Sequence, residues 1–151
     1  MKAFNRNDNI GFLLNSTTSA LNTLMQRTLT KENIDVPFEQ LKLLMYISFN
    51  PGVNQQEICI QLGKAKPGIS RLVDGLVKKE LVERKENPND RRNTQLFPTP
   101  NGLAMRERFY PIGLGNLNGL ESLLGREESE ELKKHLVALK EIILNKLKED
   151  K

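Results

Sequence analysis

The chain has 151 residues, of which 38% are hydrophobic and 28% are charged, which is typical of one globular domain and excludes a disordered chain. Its single cysteine excludes an internal disulfide framework, so we expect a cytoplasmic protein. The net charge of +4 is concentrated in residues 62–95, which hold nine Lys or Arg against five Asp or Glu. Such a local basic excess is typical of a nucleic-acid-binding surface, although a solvated basic face gives the same count.

Neither a membrane span nor a signal peptide is expected. No apolar run approaches the roughly 18 residues that a membrane-spanning helix needs. The N-terminus, MKAFNRNDNIGFLL, lacks the long apolar core and the small-residue cleavage site of a secretory signal.

Two helices are predicted in the first third of the chain. The first has a mostly apolar stripe at steps of three and four residues, formed by Ile10, Leu13, Leu14, Thr17, Leu21, Leu24 and Thr28. Residues 33–36 form a connector, and Pro37 suits the first turn of the next helix. That helix, FEQLKLLMYISF, is apolar on more than one side and is therefore expected in the centre of the core.

A helix-turn-helix pattern follows. Asn54 and Glu57 have the spacing of a capping box that opens a short helix through Gln61. Gly63 provides the turn before a longer helix over residues 66–79. Two short helices around a glycine turn are common, so this spacing alone is a moderate indication of DNA binding.

A charged hairpin comes next. Residues 81–85 and 94–97 are predicted strands, joined by a polar turn and tipped with Asp90, Arg91 and Arg92. A helix that fits the major groove, followed by a ribbon that reaches the backbone or the minor groove, is a DNA-binding arrangement.

Two more helices complete the chain. Thr99 and Pro100 cap and begin the first of them, and we expect a kink or break where it meets Pro111 and the glycines at 113, 115 and 119. Acidic residues in 127–131 favour the start of the last helix, whose apolar stripe is Leu132, Leu136, Leu139, Ile143 and Leu147. The apolar faces of the first and last helices predict a homodimer; the alternative is that both fold back onto the core of their own chain.

The central segments resemble those of the MarR family of transcriptional regulators: QEICIQLGKAKPGISRLVDGLVKKELVER and then NPNDRRNTQLFPTPNG. The motifs that carry the resemblance are SRLVD, LVER, the Asp-x-Arg of Asp90 and Arg92, and the pair Thr99 and Gly102. The resemblance implies a mainly α protein with a small β wing, a winged helix-turn-helix with dimerisation helices at both ends. On this basis we assign residues 1–36 and 103–151 to dimerisation and residues 37–102 to the DNA-binding lobe.

The resemblance also implies a function. It predicts a homodimer that binds double-stranded DNA at an inverted repeat, usually as a repressor. In the family, a small lipophilic or phenolic effector or the oxidation of a thiol often relieves binding.

Three departures from the family pattern stand out. Glu80 occupies a position where glycine is common, so the corner before the wing is expected to be built differently. Phe97 and Pro98 precede Thr99 where a plain strand residue and leucine are more usual. Pro111 and its neighbouring glycines are also atypical and affect the expected geometry of an effector pocket.

The predicted DNA contacts lie around the second helix of the helix-turn-helix. Arg71 can pair with guanine, and Ser70 can bond either a base or a phosphate. Pro67 and Gly68 keep the helix start slim and expose backbone N–H groups to phosphate. Lys64 and Lys66 are expected on phosphates, while the alternative for all of them is a solvated helix start.

The wing residues have separate predicted roles. Arg92 is expected in the minor groove, where narrow A·T-rich segments attract arginine, and Arg91 on a phosphate. By resemblance, Asp90 orients the wing arginines through a salt bridge. The alternative is an ordinary charged hairpin tip. Arg84 is expected to pair with either Asp74 or Asp90.

Other candidate residues carry less information. An effector pocket would draw its walls from apolar residues that serve equally well as core: Phe12, Met25, Phe38, Met45, Tyr46 and Phe109. Cys59 is expected to pack as a small hydrophobe, with a redox-sensing thiol as the alternative. His135 is expected at a surface or an interface, because it has no companions for a metal site.

No catalytic residues, metal site or cofactor are predicted. The chain has no Ser/His/Asp order, no P-loop and no dinucleotide fingerprint. The competing function is a winged helix that binds only proteins. Such an adaptor would not need adjacent arginines in its wing.

Overall fold

The computed structural model describes residues 9–149, apart from the side chains of Arg91 and Arg92. The first eight residues of the stretch examined for a signal peptide lie outside the described residues. The helices are α1 (Ile10–Lys31), α2 (Phe38–Phe49), α3 (Gln55–Leu62), α4 (Lys66–Lys78), α5 (Pro100–Leu124) and α6 (Arg126–Glu149). The strands are β1 (Val53–Asn54), β2 (Val82–Asn87) and β3 (Asp90–Pro98). The expected fold class, mainly α with a small β wing, is confirmed.

The sheet has three antiparallel strands in the order β1-β3-β2. The β2–β3 hairpin is longer than predicted, because Asn87 already pairs with Asp90 and only two residues form the turn. Asp90 therefore begins β3 and does not belong to the tip, which corrects the predicted position of this acidic residue and of the two arginines after it. The short β1 pairs Val53 with Leu96 and was not predicted, since a two-residue strand leaves no periodic pattern.

The core is built around α2, as its apolar sequence predicted. Leu41, Leu43, Leu44 and Ile47 are fully buried on different sides of this helix. Fully buried residues of the neighbouring elements complete the core, namely Ile58, Ile69, Val73, Leu76 and Leu96. This core fixes the position of α4 and of the sheet relative to α2.

Local chemistry sets the ends of the helix-turn-helix. The side chain of Asn54 accepts from the backbone N–H of Glu57, and the Glu57 carboxylate accepts from the backbone N–H of Asn54, which is the predicted capping box. Gly63 ends α3 with a φ of +60° in the left-handed region, where glycine has no Cβ penalty.

A kink or a break was expected at Pro111, and the break is wrong because the long helix α5 contains this proline without interruption. The helical backbone is continuous from Pro100 to Leu124, including the glycines at 113, 115 and 119. The chain nevertheless separates into two compact units at this proline, one ending at Tyr110 and the other beginning at Pro111.

The second unit has large apolar side chains that are exposed in the single chain. They lie along the C-terminal half of α5 and along α6: Leu114, Leu117, Leu120, Leu123, Leu124, Leu132, Leu136, Val137, Ile142, Ile143, Leu144 and Leu147. In the first unit, the start of α1 likewise exposes Ile10, Phe12 and Leu13. Within residues 9–149, no helix is long and apolar enough to cross a membrane.

Candidate nucleic-acid interface

The helix α4 divides cleanly into a buried and an exposed face. Ile69, Val73 and Leu76 are fully buried, while Lys66 and Arg71 are exposed. The helix follows Ala65 in an extended conformation, and no side chain caps its first turn. An uncapped helix N-terminus presents backbone N–H groups and the positive end of the helix dipole, which suits a phosphate.

The glycine in this first turn keeps the surface open. A Cβ added at Gly68 would meet no atom of the described chain within 4 Å, so there is room at the helix start. Pro67 and Gly68 are both exposed, as expected for a surface that approaches another molecule.

Two of the cations on this surface form no ion pair with the described residues. Neither Lys66 nor Arg71 forms a salt bridge with any part of the described chain. A guanidinium without an internal partner can form a bidentate pair with a base edge at no cost in broken ion pairs.

Ser70 is placed differently from Arg71. Its hydroxyl donates to the side-chain oxygen of Gln55 at 2.8 Å and is half-buried. Gln55 is the first residue of α3, so this bond connects the start of α3 to α4. Ser70 thus has a structural partner in the free chain, which its position in the sequence did not reveal.

Lys64 also has an internal partner. Its Nζ lies 3.1 Å from Oε2 of Glu39, while Lys42 contacts the other carboxylate oxygen of Glu39 at 2.5 Å. Partial burial raises the pKa of Glu39, but the hydrogen bonds and charges of the two lysines outweigh it and hold the pKa below its ordinary value of 4.5. The carboxylate therefore stays ionised between its two partners at neutral pH.

The wing is attached to α4 by an ion pair. Arg84 on β2 contacts Asp74 on α4 at 2.5 Å, which selects Asp74 from the two partners expected for this arginine. Both side chains are substantially exposed, so solvent screening limits what the pair contributes to stability.

The remainder of the wing is only partly described. Lys85 contacts Glu83 at 2.8 Å and lies 4.9 Å from the ring centre of Phe97. Asp90 is exposed at the start of β3. The backbone of Arg91 and Arg92 belongs to the same strand, but their predicted DNA contacts concern side chains outside the described residues.

The corner between α4 and the wing depends on an unusual backbone conformation. Glu80 has a φ of +56°, in the left-handed region that glycine adopts most easily. The Thr99 hydroxyl donates to the Glu80 carbonyl at 2.6 Å and accepts from the backbone N–H of Gly102 at 3.0 Å. Thr99 thereby caps α5 and closes the corner at the same time.

Gly102 is required by the close approach of α5 to this corner. A Cβ at Gly102 would lie 2.0 Å from the carbonyl oxygen of Leu81, a backbone atom that cannot rotate away. Thr99 and Gly102, which belong to the motifs of the family resemblance, therefore have structural roles behind the wing.

Cys59 is half-buried, not fully buried as its packing role predicted. It lines an open cleft with Lys66 from α4 and with Asp90 and Asn93 from β3. His135 is exposed on α6, with Nε2 at 3.7 Å from Oε1 of Glu131, which agrees with its expected surface position. Across the described chain, no cluster of three or more His, Cys, Asp or Glu is suited to a metal ion.

The six candidate effector-pocket residues do not share one environment. The rings of Phe38 and Phe109 lie 6.2 Å apart, and Phe109 and Met25 are buried. Phe38 lines a groove between α1 and α2, whereas Tyr46 lines a separate cleft with Pro51 and Ile60. The other two candidates differ again, since Met45 is half-buried and Phe12 is exposed.

Sequence comparisons identify the family. The sequence model of the MarR family matches residues 34–93. The HTH-type transcriptional regulator MhqR of Bacillus subtilis (strain 168) is 30% identical over 112 residues, which cover 74% of this chain and 75% of that protein.

The chain belongs to the MarR family.

Solved structures of MarR-type regulators have the same fold. The transcriptional repressor CouR bound to a 23-mer DNA duplex superposes with a TM-score of 0.80 at 25% identity, over 92% of this chain and 97% of that one. The S. aureus MepR–DNA complex gives a TM-score of 0.80 at 25% identity, over 89% of this chain and 98% of that one. The winged helix-turn-helix expected from the resemblance is therefore confirmed, and this chain is a transcriptional regulator of the MarR type.

Sequence reasoning missed two residues that shape the interface. Gln55 and Glu39 hold Ser70 and Lys64, but they lie far from these partners along the chain. In the sequence there is an indication for Glu39 alone. This residue lies in the first turn of α2, where the helix dipole favours an acidic side chain.

Proposed function

We propose that this protein is a sequence-specific repressor that binds double-stranded DNA as a homodimer on an inverted repeat. The observation that carries the proposal is the start of α4, where Lys66 and Arg71 are exposed, form no ion pair with the described residues and lie beside an uncapped helix N-terminus. The two DNA-bound relatives, which share the fold over most of this chain, support the same use of this surface.

The residues of α4 have distinct roles in this proposal. Arg71 reads a base edge in the major groove, with guanine as the preferred partner. The first turn, with Lys66, Pro67 and Gly68, receives a phosphate. Ser70 either bonds DNA with its remaining acceptor capacity or keeps α4 in position through Gln55.

The wing provides the second part of the interface. Arg92 enters the minor groove and Arg91 contacts a phosphate, in line with the family resemblance. Asp90 orients these arginines and does not touch DNA, because a carboxylate facing phosphates would repel them.

The exposed apolar faces of the terminal helices support the proposed homodimer. A second copy related by a two-fold axis would cover them and would present two recognition helices to successive major grooves. Half-sites are then separated by about 34–36 Å, or one helical turn. Occupying such a site would repress transcription by occlusion.

A small lipophilic or phenolic effector would release the protein from DNA. The groove between α1 and α2 is one candidate site, because it combines the aromatic ring of Phe38 with the exposed cation Arg27. An effector acts only to the extent that it binds the released state better than the DNA-bound state.

Selection of bound fragments from random duplex DNA at near-physiological salt tests the proposal. We expect an inverted repeat with half-sites about one helical turn apart. The same selection with Arg71→Ala should return a repeat with relaxed base preference, and Arg71→Ala should weaken binding to the original repeat by about 1–3 kcal/mol. Arg92→Ala should weaken binding at every site equally.

A matched control separates base contacts from general charge. Lys31→Ala removes one exposed positive charge from the end of α1, outside both the DNA interface and the candidate effector groove, and should leave the recovered sequence unchanged. No enrichment from folded, dimeric protein would contradict the proposal and favour the adaptor that binds only proteins. Enrichment that disappears only after thiol oxidation, and returns on reduction, would favour redox control through Cys59.

A further inference from the structure

Lys64 is held in the free chain by a carboxylate that belongs to a different helix. Its Nζ lies 3.1 Å from Oε2 of Glu39, which is the second residue of α2. Lys64 itself lies in the turn between α3 and α4, immediately before the uncapped first turn of α4. A phosphate bound at that turn would lie next to Lys64 in the chain, where the flexible lysine side chain could turn from Glu39 toward it.

The two lysines on Glu39 are held unequally. Lys42 contacts Glu39 at 2.5 Å, donates to Oδ1 of Asn22 at 3.3 Å and lies 5.0 Å from the ring centre of Phe38. Lys64 has the Glu39 carboxylate as its side-chain partner, and its side chain is 43% exposed. Loss of Lys64 would thus leave Glu39 paired with Lys42, while loss of Glu39 would leave Lys64 without an ion-pair partner among the residues that the structure describes.

This asymmetry assigns a function to Glu39. We propose that Glu39 competes with DNA phosphate for Lys64 and thereby limits the affinity of the recognition helix for DNA. Lys64 is paired with Glu39 in the free protein and exchanges this carboxylate for a phosphate in the complex. This inference rests on the proposed DNA-binding function and adds a residue that restrains it.

The energetic argument is one of competing ion pairs. Exposed pairs contribute little to folding, because solvent screens them and both side chains lose freedom. An exposed pair that must be broken before binding reduces the affinity for DNA by the same small amount. Glu39 also places a negative charge beside a surface that approaches phosphates, which opposes binding further.

The decisive measurement is the salt dependence of binding to one fixed duplex for four proteins: the unaltered chain, Glu39→Gln, Lys64→Gln and the double variant. We expect Glu39→Gln to bind about two- to fivefold more tightly, the range that corresponds to an exposed ion pair. We expect Lys64→Gln to bind more weakly and to lower the salt slope by about 0.9, the value for one phosphate contact on B-DNA.

The double variant shows whether Glu39 acts through Lys64. If it does, Glu39→Gln has no more than a small effect on affinity once Lys64 is already glutamine, and the two substitutions are coupled. Asp35→Asn is the matched control for charge, because Asp35 is exposed in the same unit and its carboxylate has no ion-pair partner in the described chain. It should leave both affinity and slope close to those of the unaltered protein.

Three results would overturn the proposal. Weaker binding by folded Glu39→Gln would show that Glu39 positions Lys64 for DNA and does not restrain it. An equal gain in DNA affinity from Glu39→Gln when Lys64 is already glutamine would show a general charge effect. An equal gain in affinity from Asp35→Asn would show the same. Absence of salt-dependent binding by the unaltered chain, with no effect of Arg71→Ala, would instead defeat the DNA-binding function itself.

Discussion

The α2-centred core and the terminal helices use the same residue type in opposite environments. On α2, Leu41, Leu43 and Leu44 are completely buried within a single chain. On α6, Leu132 and Leu136 are 48% and 43% exposed. The first region is complete in one chain, whereas the second has apolar surface that gains stability only when something covers it.

This difference indicates where a second copy of the chain would contribute to stability. The helix-turn-helix and the wing obtain their shape from the α2-centred core, from the Asn54 capping box and from the Thr99–Gly102 corner. The terminal helices are long and amphipathic, and a symmetric partner would bury their faces without altering the lobe.

The largest expected effect comes from replacing leucine with alanine, once in the α2-centred core and once on α6. Leu44→Ala should lower the free energy of unfolding by about 2–5 kcal/mol at any protein concentration, because it leaves a cavity in the core. Leu136→Ala should lower the free energy of unfolding mainly by weakening the dimer, so its effect should become smaller when the protein is diluted. Chemical denaturation at several protein concentrations measures both, and an equal, concentration-independent loss would remove the contrast.

The second effect concerns the corner behind the wing. Gly102→Ala should destabilise the protein by about 1–3 kcal/mol or more, because its Cβ would lie 2.0 Å from the Leu81 carbonyl. Gly68→Ala is the matched control, since its Cβ meets nothing within 4 Å and alanine is the better helix residue. Thermal unfolding of the two variants compares them directly. A harmless Gly102→Ala would mean that the corner is not tightly packed.

The third effect is a gain in stability. Glu80→Gly should stabilise the protein by about 0.5–1 kcal/mol, because glycine removes the left-handed strain at φ +56° and only part of that gain is offset by its extra unfolded-state freedom. Lys78→Gly, two residues earlier at the end of α4, should instead destabilise by up to about 1 kcal/mol. Denaturant titration of both variants checks the opposite signs.

The smallest effect is electrostatic. The pKa of Glu39 is lowered in the folded chain, so its contribution to stability is present above its ordinary pKa of 4.5 and is lost as the pH falls through the folded value. Because the side chain is 38% exposed, solvent screening limits the contribution to a few tenths of a kcal/mol. The difference in unfolding free energy between the unaltered protein and Glu39→Gln should therefore shrink below pH 4.5, and a constant difference would contradict the ion-pair account.

Much of the fold could be predicted from the sequence because its indications are local. The bounds of α2, the capping box at Asn54 and the turn at Gly63 all depend on residues a few positions apart. The two-residue β1 could not be predicted, because it exists only through its pairing with β3. The continuity of α5 through Pro111 could not be predicted either, because the rest of this long helix maintains the helical backbone around the proline.

In the candidate site, too, features that depend on local sequence could be predicted and features that depend on tertiary packing could not. The exposed surface of α4 could be predicted from the positions of Lys66, Gly68 and Arg71 on one helix. The partners of Ser70 and Lys64 could not, because Gln55 and Glu39 meet them only through tertiary packing. The roles of Arg91 and Arg92 remain predictions, since their side chains lie outside the described residues.

Sedimentation equilibrium of the free protein, over a range of concentrations at near-physiological salt, tests the central claim most directly. If a second copy covers the terminal helices, the measured mass will be twice the 17.2 kDa of one chain, and Leu136→Asp will return it to that of a single folded chain. A mass of 17.2 kDa at every concentration, from protein that still binds DNA, would contradict the account.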